Sequence, residues 1–395
     1  ATMESIKGGV GGTLSGLAVI LGLGAVLGGV IAETGAANVI TNRLVVGREG
    51  MAILWGLCLV GFLVGIPLFY SVAFIMMAPI IISAAEKAKL PLAMVAVATV
   101  ASLSVTHGFL PPHPAPVLIS DTYGADLGKV LLYGILLAVP SVILAGPLLA
   151  RTLRNMPHTK GALTFTEAHL PDKLPSLAAS IICALLPVLL LAAGTLVQSV
   201  VDEQAWIVTS GSLGLFTNAT VALLIGVLVA MLVLGHQTGL SVPNLMGRVA
   251  KQLAPMAAVL LIIAAGGAFK QVLVDSGTSD YIVTVLEGFN AHPILIAWLI
   301  AAALRVTLGS ATVAAITAAG IALPLAQNGT ASPELLVLAT GAGSLTLSHV
   351  NDTGFWLFKE YFGLTVPQTL RSWTMMETVV SLIGLFGCLG LSYII

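Results

Sequence analysis

Long hydrophobic runs alternate with short polar segments along almost the whole chain. A helix rises about 1.5 Å per residue, so roughly 20 apolar residues cross a bilayer core of about 30 Å. Five runs reach about this length, and they predict membrane spans at residues 14–40, 129–150, 177–200, 214–235 and 373–394. The pattern therefore predicts an all-α polytopic membrane protein.

Two further pairs of apolar runs are too short to cross a membrane. The first pair is interrupted at residues 65–71 and the second at residues 308–312, in each case by glycine and hydroxyl residues. Each arm has about 15 residues and would reach only about 22 Å. We therefore predict two re-entrant hairpins, at residues 51–85 and 293–326.

Two other apolar segments contain polar interruptions. Segment 91–120 includes Ser-Leu-Ser-Val-Thr-His at residues 102–107, and segment 333–358 includes Ser-Leu-Thr-Leu-Ser-His at residues 344–349. Prolines follow the first interruption and an Asn-Asp pair follows the second, and these residues disfavour a continuous helix. Irregular backbone at membrane depth survives only where protein buries it or water reaches it. We predict two broken helices with a ligand site beside their breaks.

The broken helices belong to an internal repeat. Residues 30–35 resemble residues 272–277, and residues 102–107 resemble residues 344–349, both at an offset of 242. Ordered matches at a constant offset indicate repeated structural units. The predicted organisation is a first repeat at 1–155, a loop and two connecting spans at 156–252, and a second repeat at 253–395.

Lysine and arginine residues predict the orientation of the two repeats. Loops rich in these residues usually face the cytoplasm, and here they are loops 41–50, 86–90, 151–175, 236–252 and 359–371. Counting spans between these loops puts the base of the first hairpin inside and that of the second outside. The repeats are therefore predicted to be inverted, an architecture typical of secondary transporters with a binding site at the midplane.

The composition agrees with a membrane protein and excludes several other classes. Hydrophobic residues make up 57% of the 395 residues, charged residues only 8%, and the mean hydropathy is +1.05. Soluble domains have about 25% charged residues. The net charge of −1 gives no sign of nucleic-acid binding. Neither a metal-binding spacing of cysteines nor an arrangement of catalytic residues is recognisable, so we expect no cofactor, no metal and no enzyme.

The helix breaks supply the candidate chemistry. The start of a half-helix has free amides and a dipole that favours an anion. Hydroxyl, imidazole, amide and carboxyl side chains near the breaks suit a small polyhydroxylated anion. The predicted substrate-binding residues are Ser71, Thr106, His107, His113, Ser310, Thr312, Ser348, His349, Asn351, Asp352 and Arg305.

Several of these residues have two interpretations. Arg305 could hold a substrate carboxylate with two hydrogen bonds, or it could fix the second hairpin to its surroundings. His107 and His349 could carry a coupling proton, because histidine titrates near neutrality, or they could stabilise the breaks through hydrogen bonds. Asp352 is the best acidic candidate for the coupling proton, but it could equally cap a half-helix.

Five strings of sequence resemble the gluconate:proton symporter family. The likeness runs through essentially the whole chain, and the strings are long enough to be specific. They lie at residues 8–14, 104–114, 266–277, 308–316 and 348–352.

The resemblance implies a multi-pass carrier in a bacterial inner membrane that imports gluconate or a related sugar acid with protons. It also implies hairpin domains that move like an elevator against a scaffold, and a homodimer. Family members usually begin with one or two further helices, so we expect residues upstream of Ala1. They also commonly have an acidic residue where this chain has Ser71.

Two other functions stay open from the sequence. A carrier of D-serine or another small carboxylate in the same family could use the same hairpin tips. A membrane subunit of a binding-protein-dependent system is an alternative from another class, and it would need a soluble partner.

Overall fold

The computed structural model describes residues 2–45, 50–157, 170–200, 218–253, 256–276, 291–329 and 331–395. These residues form helices and connecting segments, and no β-strand occurs among them. Residues 46–49, 158–169, 201–217, 277–290 and 330 lie outside the described part. They include parts of the predicted loops and turns and the first residues of the span predicted at 214–235.

The first part of the chain forms a long helix, a hairpin, a broken helix and a span, in that order. Their bounds are α1 Thr2–Glu33, α2 Ala36–Val45, α3 Ala52–Gly65, α4 Tyr70–Ala88, α5 Leu92–Phe109, α6 Pro114–Tyr123 and α7 Leu127–Ile143. A π-helical turn at Leu144–Leu148 carries α7 on to Arg151.

The rest of the chain repeats this succession after two connecting spans and a short helix. The bounds are α8 Leu177–Val200, α9 Ala219–Thr238, α10 Val242–Leu253, α11 Met256–Asp275, α12 Pro293–Leu308, α13 Ala311–Gln327, α14 Pro333–Gly343, α15 Thr353–Tyr361 and α16 Met375–Leu391. Val366–Thr369 and a π-helical turn at Leu370–Thr374 lead into α16.

Five described helical segments are long and apolar enough to span a membrane, and a bent pair makes a sixth candidate. The arms α3, α12 and α13 are apolar but have only 14, 16 and 17 residues, which gives about 21–26 Å of helix. They are therefore shorter than a bilayer core of about 30 Å. The remaining arm, α4, has 19 residues and is longer than predicted.

Two sequence predictions need correction. The single span expected at 14–40 is a pair of helices, α1 and α2, which meet at a 61° bend. The segment 236–252, predicted as a loop, contains α10. Hydropathy does not reveal α10 as a helix because only one face is apolar: Leu245 and Val249 are fully buried, and Val249 packs on α1.

The broken helix α5–α6 lies at the centre of the molecule. All side chains of α5 are buried except that of His107, which is half-buried. Helices α3, α4 and α7 pack around α5, and α14 packs against α6 and α12. On the outside, Leu224, Leu228 and Leu232 form an exposed apolar row along α9, as expected for a helix face in contact with lipid.

Candidate functional site

The two hairpins and the two broken helices meet in one polar cluster inside the molecule. A continuous series of contacts runs from the tip of the first hairpin, between α3 and α4, to the tip of the second, between α12 and α13. The contacts are aromatic at the first end and charged at the second. The cluster is the only place in the described part where all four helix breaks share contacts.

Aromatic and imidazole rings form the first end of this cluster. The ring of Tyr70, at the start of α4, lies 5.9 Å from the ring of His107 between centroids. The His107 ring in turn lies 5.4 Å from that of His113, and Phe69 contacts His113 edge-on at 6.3 Å. Nε2 of His113 is 2.8 Å from the carbonyl oxygen of Gly65, which ties the first hairpin to the first broken helix.

An ion pair forms the second end. The Arg305 guanidinium donates to the Asp352 carboxylate and to the carbonyl oxygen of Gly309. The Ser348 hydroxyl donates to the same carboxylate, whose other oxygen accepts from the amide of Gly354 at 2.8 Å. Arg305 is 2% exposed, and a buried ion pair of this kind is costly to break because one charge is left alone.

Trp373 joins the two ends. Its ring lies 6.1 Å from the ring of Tyr70, and its Nε1 donates to the Ser348 hydroxyl at 2.7 Å. A buried tryptophan usually finds a partner for its N–H. Here that partner belongs to the second broken helix. Trp373 therefore connects the first hairpin tip to the ion pair through one side chain.

Two glycines allow the hairpin tips to approach the broken helices. A Cβ at Gly65 would lie 2.6 Å from Oγ1 of the buried Thr106. Gly309 has a φ of +77°, and a Cβ there would lie 2.2 Å from the carbonyl oxygen of Asn351. The Asn351 side chain closes the same contact by donating to the carbonyl oxygen of Val306 at 2.8 Å.

The half-helices differ in how their first amides are satisfied. Asp352 caps α15, and the hydroxyl of Ser310 caps α13 by accepting from the amide of Val313 at 3.4 Å. At the start of α4 and of α6, the preceding residues Phe69 and His113 make no capping hydrogen bond with their side chains. The first turn of α4 therefore keeps amide donors that an anion can use.

Unpartnered buried atoms collect in this cluster. Among the described residues, the buried side-chain atoms without a hydrogen bond are Tyr70 Oη, His107 Nδ1, His113 Nδ1, Arg305 Nε and Glu377 Oε2. Buried polar groups are normally hydrogen-bonded, and exceptions call for an explanation such as a functional role. A small crevice beside His113, lined also by Gly24, Pro67 and Phe69, reaches this end of the cluster.

The structure brings most of the predicted site residues together. Thr106, His107, His113, Ser348, Asn351, Asp352 and Arg305 lie at the meeting point of the breaks. His349 and Thr312 are half-buried and are close in sequence to Ser348 and Ser310. Within the described part, however, they share no hydrogen bond, ion pair or ring contact with the other predicted residues. Ser71 is the second residue of α4, and its side chain lies outside the described part.

Sequence reasoning missed Glu377 and its partner Ser104. Glu377 is 2% exposed on α16, and one of its oxygens accepts a hydrogen bond from the Ser104 hydroxyl on α5. The available signal was an acidic residue inside the apolar run 373–394, since ionisable residues in membrane spans are rare and usually functional. Trp373 and Tyr70 were visible in the sequence but were not assigned to the site.

Comparisons with known proteins agree on one family. The model of the GntP family permease matches residues 1–395. The chain is 47% identical to a high-affinity gluconate transporter of Escherichia coli over 99% of this chain and 89% of that protein. It is 43% identical to the Gnt-II system L-idonate transporter of Escherichia coli, over 100% of this chain and 90% of that protein. It is 40% identical to a gluconate permease of Bacillus subtilis, with the same two coverages.

Solved structures of transporters share the fold. The YdaH transporter of Alcanivorax borkumensis superposes with a TM-score of 0.67 at 18% identity, over 98% of this chain and 86% of that one. Neisseria gonorrhoeae MtrF, described as one of a class of antimetabolite efflux pumps, gives a TM-score of 0.64 at 14% identity, over 100% and 82% of the two chains. At these identities the likeness concerns the fold alone.

Proposed function

Because this chain belongs to the GntP family of permeases, we propose that it is a secondary active transporter that imports gluconate or a related small sugar acid together with protons. It is a multi-pass protein of the bacterial inner membrane. The relatives named above transport gluconate or L-idonate. Both are small polyhydroxylated carboxylates, and the hydroxyl, imidazole and amide groups of the cluster suit such an anion.

The collection of unpartnered buried atoms at the four helix breaks carries this proposal. The hydroxyl of Tyr70 and the free imidazole nitrogens of His107 and His113 offer hydrogen bonds to substrate hydroxyls. The uncapped first turn of α4 offers amides to the carboxylate. A sugar acid can supply the donors and acceptors that the buried groups lack, whereas an apolar solute would leave them unsatisfied.

Arg305 and Asp352 have a different role in this proposal. Their charges neutralise each other in an ion pair. Through this pair, and through its hydrogen bond to Gly309, Arg305 holds the second hairpin tip on the second broken helix. The backbone of that tip forms one wall of the site. Ser310, Ser348 and Asn351 extend that wall, and Thr106 belongs to the opposite wall.

Transport proceeds by alternating access in this proposal. The hairpins and broken helices form the substrate-carrying unit of each inverted repeat, and this unit moves like an elevator against the other spans, with a homodimer as the assembly. The short apolar arms of the hairpins and their recurrence in both parts of the chain support the proposal, because transporters with inverted repeats bind substrate at broken helices.

Uptake by proteoliposomes that contain only this chain tests the function. We expect labelled gluconate to accumulate when the outside is more acidic than the inside. Unlabelled gluconate and L-idonate should compete strongly. If D-serine competes better than either sugar acid, the chain is an amino-acid carrier. If uptake requires an added soluble binding protein, the chain is a subunit of a larger system, and the proposal is wrong.

A further inference from the structure

Glu377 is a buried carboxyl group that the proposed substrate site does not use. It lies on α16, inside the span Val366–Leu391, and is 2% exposed. Oε1 accepts from the hydroxyl of Ser104, and Oε2 has no hydrogen-bond partner in the described part of the chain. An acidic group with one free oxygen in the interior of a membrane protein indicates a function rather than a packing role.

No cation in the described part of the chain neutralises Glu377 directly. None of the described lysine, arginine or histidine nitrogens lies within 4 Å of its carboxyl oxygens. The ionisable groups that act on it at longer range are Tyr70 of α4, Arg305 of α12 and Asp352 at the start of α15. Because Arg305 and Asp352 are paired with each other, their charges largely cancel at Glu377. A lone carboxylate in such a place is costly to keep charged, so its protonation depends on access to water.

Asp352 is less suited to exchange a proton. Its carboxylate already accepts hydrogen bonds from Arg305, Ser348 and the amide of Gly354. Protonation would remove the charge that compensates the buried guanidinium, and an unpaired buried charge is expensive. Glu377 can gain or lose a proton without breaking any ion pair.

The repeat gives an independent reason to assign Glu377 a function. Tyr133 of the first repeat and Trp373 of the second occupy matching positions, at an offset of 240. Four residues further along, the first repeat has Leu137 where the second has Glu377. Leu137 is also buried, at 4% exposed. The corresponding helix therefore packs with an apolar residue at this position, and the fold itself does not require a carboxyl group.

Glu377 also touches the proposed substrate site. Its hydrogen-bond partner Ser104 lies on α5, three residues before His107. Trp373 lies four residues before Glu377, in the π-helical turn that leads into α16. Trp373 contacts Tyr70 and donates to Ser348. A change in charge at Glu377 thus acts next to residues that contact the first hairpin and the second broken helix.

We propose that Glu377 is the residue that carries the coupling proton. This inference rests on the proposed function of the chain as a gluconate–proton symporter. The carboxylate binds one proton from the outside when the site faces out, the neutral acid accompanies bound gluconate through the conformational change, and the proton leaves to the cytoplasm after the substrate. No other bond is made or broken.

The test compares Glu377→Gln with Glu360→Gln, in proteoliposomes and in detergent solution. Glu360 is an exposed residue outside the cluster, so this control makes the same chemical change without touching the site. Three quantities are measured: accumulation of gluconate driven by a pH gradient, exchange of labelled for unlabelled gluconate without a gradient, and protons taken up when gluconate binds in weakly buffered solution.

We expect Glu377→Gln to lose gradient-driven accumulation at least tenfold, to keep gluconate binding and exchange, and to take up about one proton fewer per gluconate. Glu360→Gln should match the parent chain in all three. Unchanged gradient-driven accumulation or unchanged proton uptake in Glu377→Gln would overturn the assignment, as would loss of gluconate binding by the folded variant. Failure of the parent chain to transport gluconate at all would instead refute the proposed function.

Ser104→Ala keeps the assignment testable if Glu377→Gln does not fold. This variant removes the hydroxyl that donates to the carboxylate and leaves the acid in place. The charged form of Glu377 then loses a hydrogen bond, so the pH at which uptake is half-maximal should move upward. An unshifted pH profile in folded Ser104→Ala would contradict the role of Glu377.

Discussion

At the scale of single residues, the cluster contains two kinds of polar group: those whose hydrogen bonds are made within the protein, and those that keep an unpartnered atom. Asp352 and Ser348 have several partners each, whereas Tyr70, His107 and His113 each keep an unpartnered polar atom. Hydrogen bonds made within the protein stabilise the structure, and unpartnered polar atoms can bind a ligand. The two sets therefore predict different outcomes on mutation.

Tyr70→Phe should weaken gluconate recognition without harming the fold. The change removes one hydroxyl that has no hydrogen-bond partner in the described part and leaves the ring contacts with His107 and Trp373 in place. Loss of one hydrogen bond to the substrate costs about 0.5–1.5 kcal/mol, so KM for uptake should rise about twofold to thirteenfold. Tyr393→Phe, at an exposed position, is the control. Equal KM values in the two variants would remove Tyr70 from the site.

Asp352→Asn should instead lower stability. The amide cannot neutralise Arg305, which is 2% exposed, and breaking a buried ion pair typically costs about 3–5 kcal/mol. Thermal unfolding in detergent measures the loss. The double variant Arg305→Gln/Asp352→Asn should recover part of it, because no charge is then left alone. A double variant that is less stable than Asp352→Asn would show that the pair is not the cause.

At the scale of elements, close backbone contact fixes the hairpins. The tip between α12 and α13 contacts the backbone at Asn351. The carbonyl oxygen of Asn351 lies so close to Gly309 that a side chain at Gly309 would not fit. The tip between α3 and α4 lies close to Thr106 of α5, whose Oγ1 would be 2.6 Å from a Cβ at Gly65. Each hairpin is therefore bound to the broken helix of its own half, and we expect each pair to move together.

Gly309→Ala tests the contact at the second tip. The new Cβ would lie 2.2 Å from the carbonyl oxygen of Asn351, and the residue has a φ of +77°. Gly329→Ala is the matched control, because its φ is +65° and no described atom lies within 4 Å of the position that a Cβ would take there.

Both alanine variants incur the cost of a left-handed backbone, about 1–2 kcal/mol. Only Gly309→Ala must also move the tip, so it should be the less stable of the two in thermal unfolding and should lose most gluconate transport. Equal stability and transport in the two variants would contradict the close packing of the second tip.

At the scale of the whole molecule, periodicity and length predicted most of the helices. The family and the first helix break, which begins after Phe109, could be predicted from the sequence, because hydropathy and proline act locally. The second break was placed too late, because α14 already ends at Gly343 and residues 344–349 lie inside the break. The polar cluster could be predicted from the sequence only in part. The contact of Glu377 with Ser104 joins residues 273 positions apart, and Arg305 and Asp352 come from different elements, so no local pattern reveals the partners. Helix α10 was missed because its apolar face is too narrow to raise the mean hydropathy.

The proposed inverted orientation of the two halves makes a prediction about accessibility. The base of the first hairpin, marked by Lys87 at the end of α4, should face the cytoplasm, and the base of the second, marked by Asn328 after α13, should face outside. Both residues are exposed. The three native cysteines are buried, so replacing them with serine gives a background in which only an introduced cysteine reacts.

Single Lys87→Cys and Asn328→Cys variants can then be labelled with an impermeant maleimide in right-side-out and inside-out membrane vesicles. We expect Asn328→Cys to react only in right-side-out vesicles and Lys87→Cys only in inside-out vesicles. Each variant serves as the control for the other, because the same reagent is expected to label the two cysteines from opposite sides of the membrane. Reaction of both cysteines in the same vesicle type would place the two hairpins on one side, and a pair of hairpins on one side cannot give the substrate site alternate access through inverted halves.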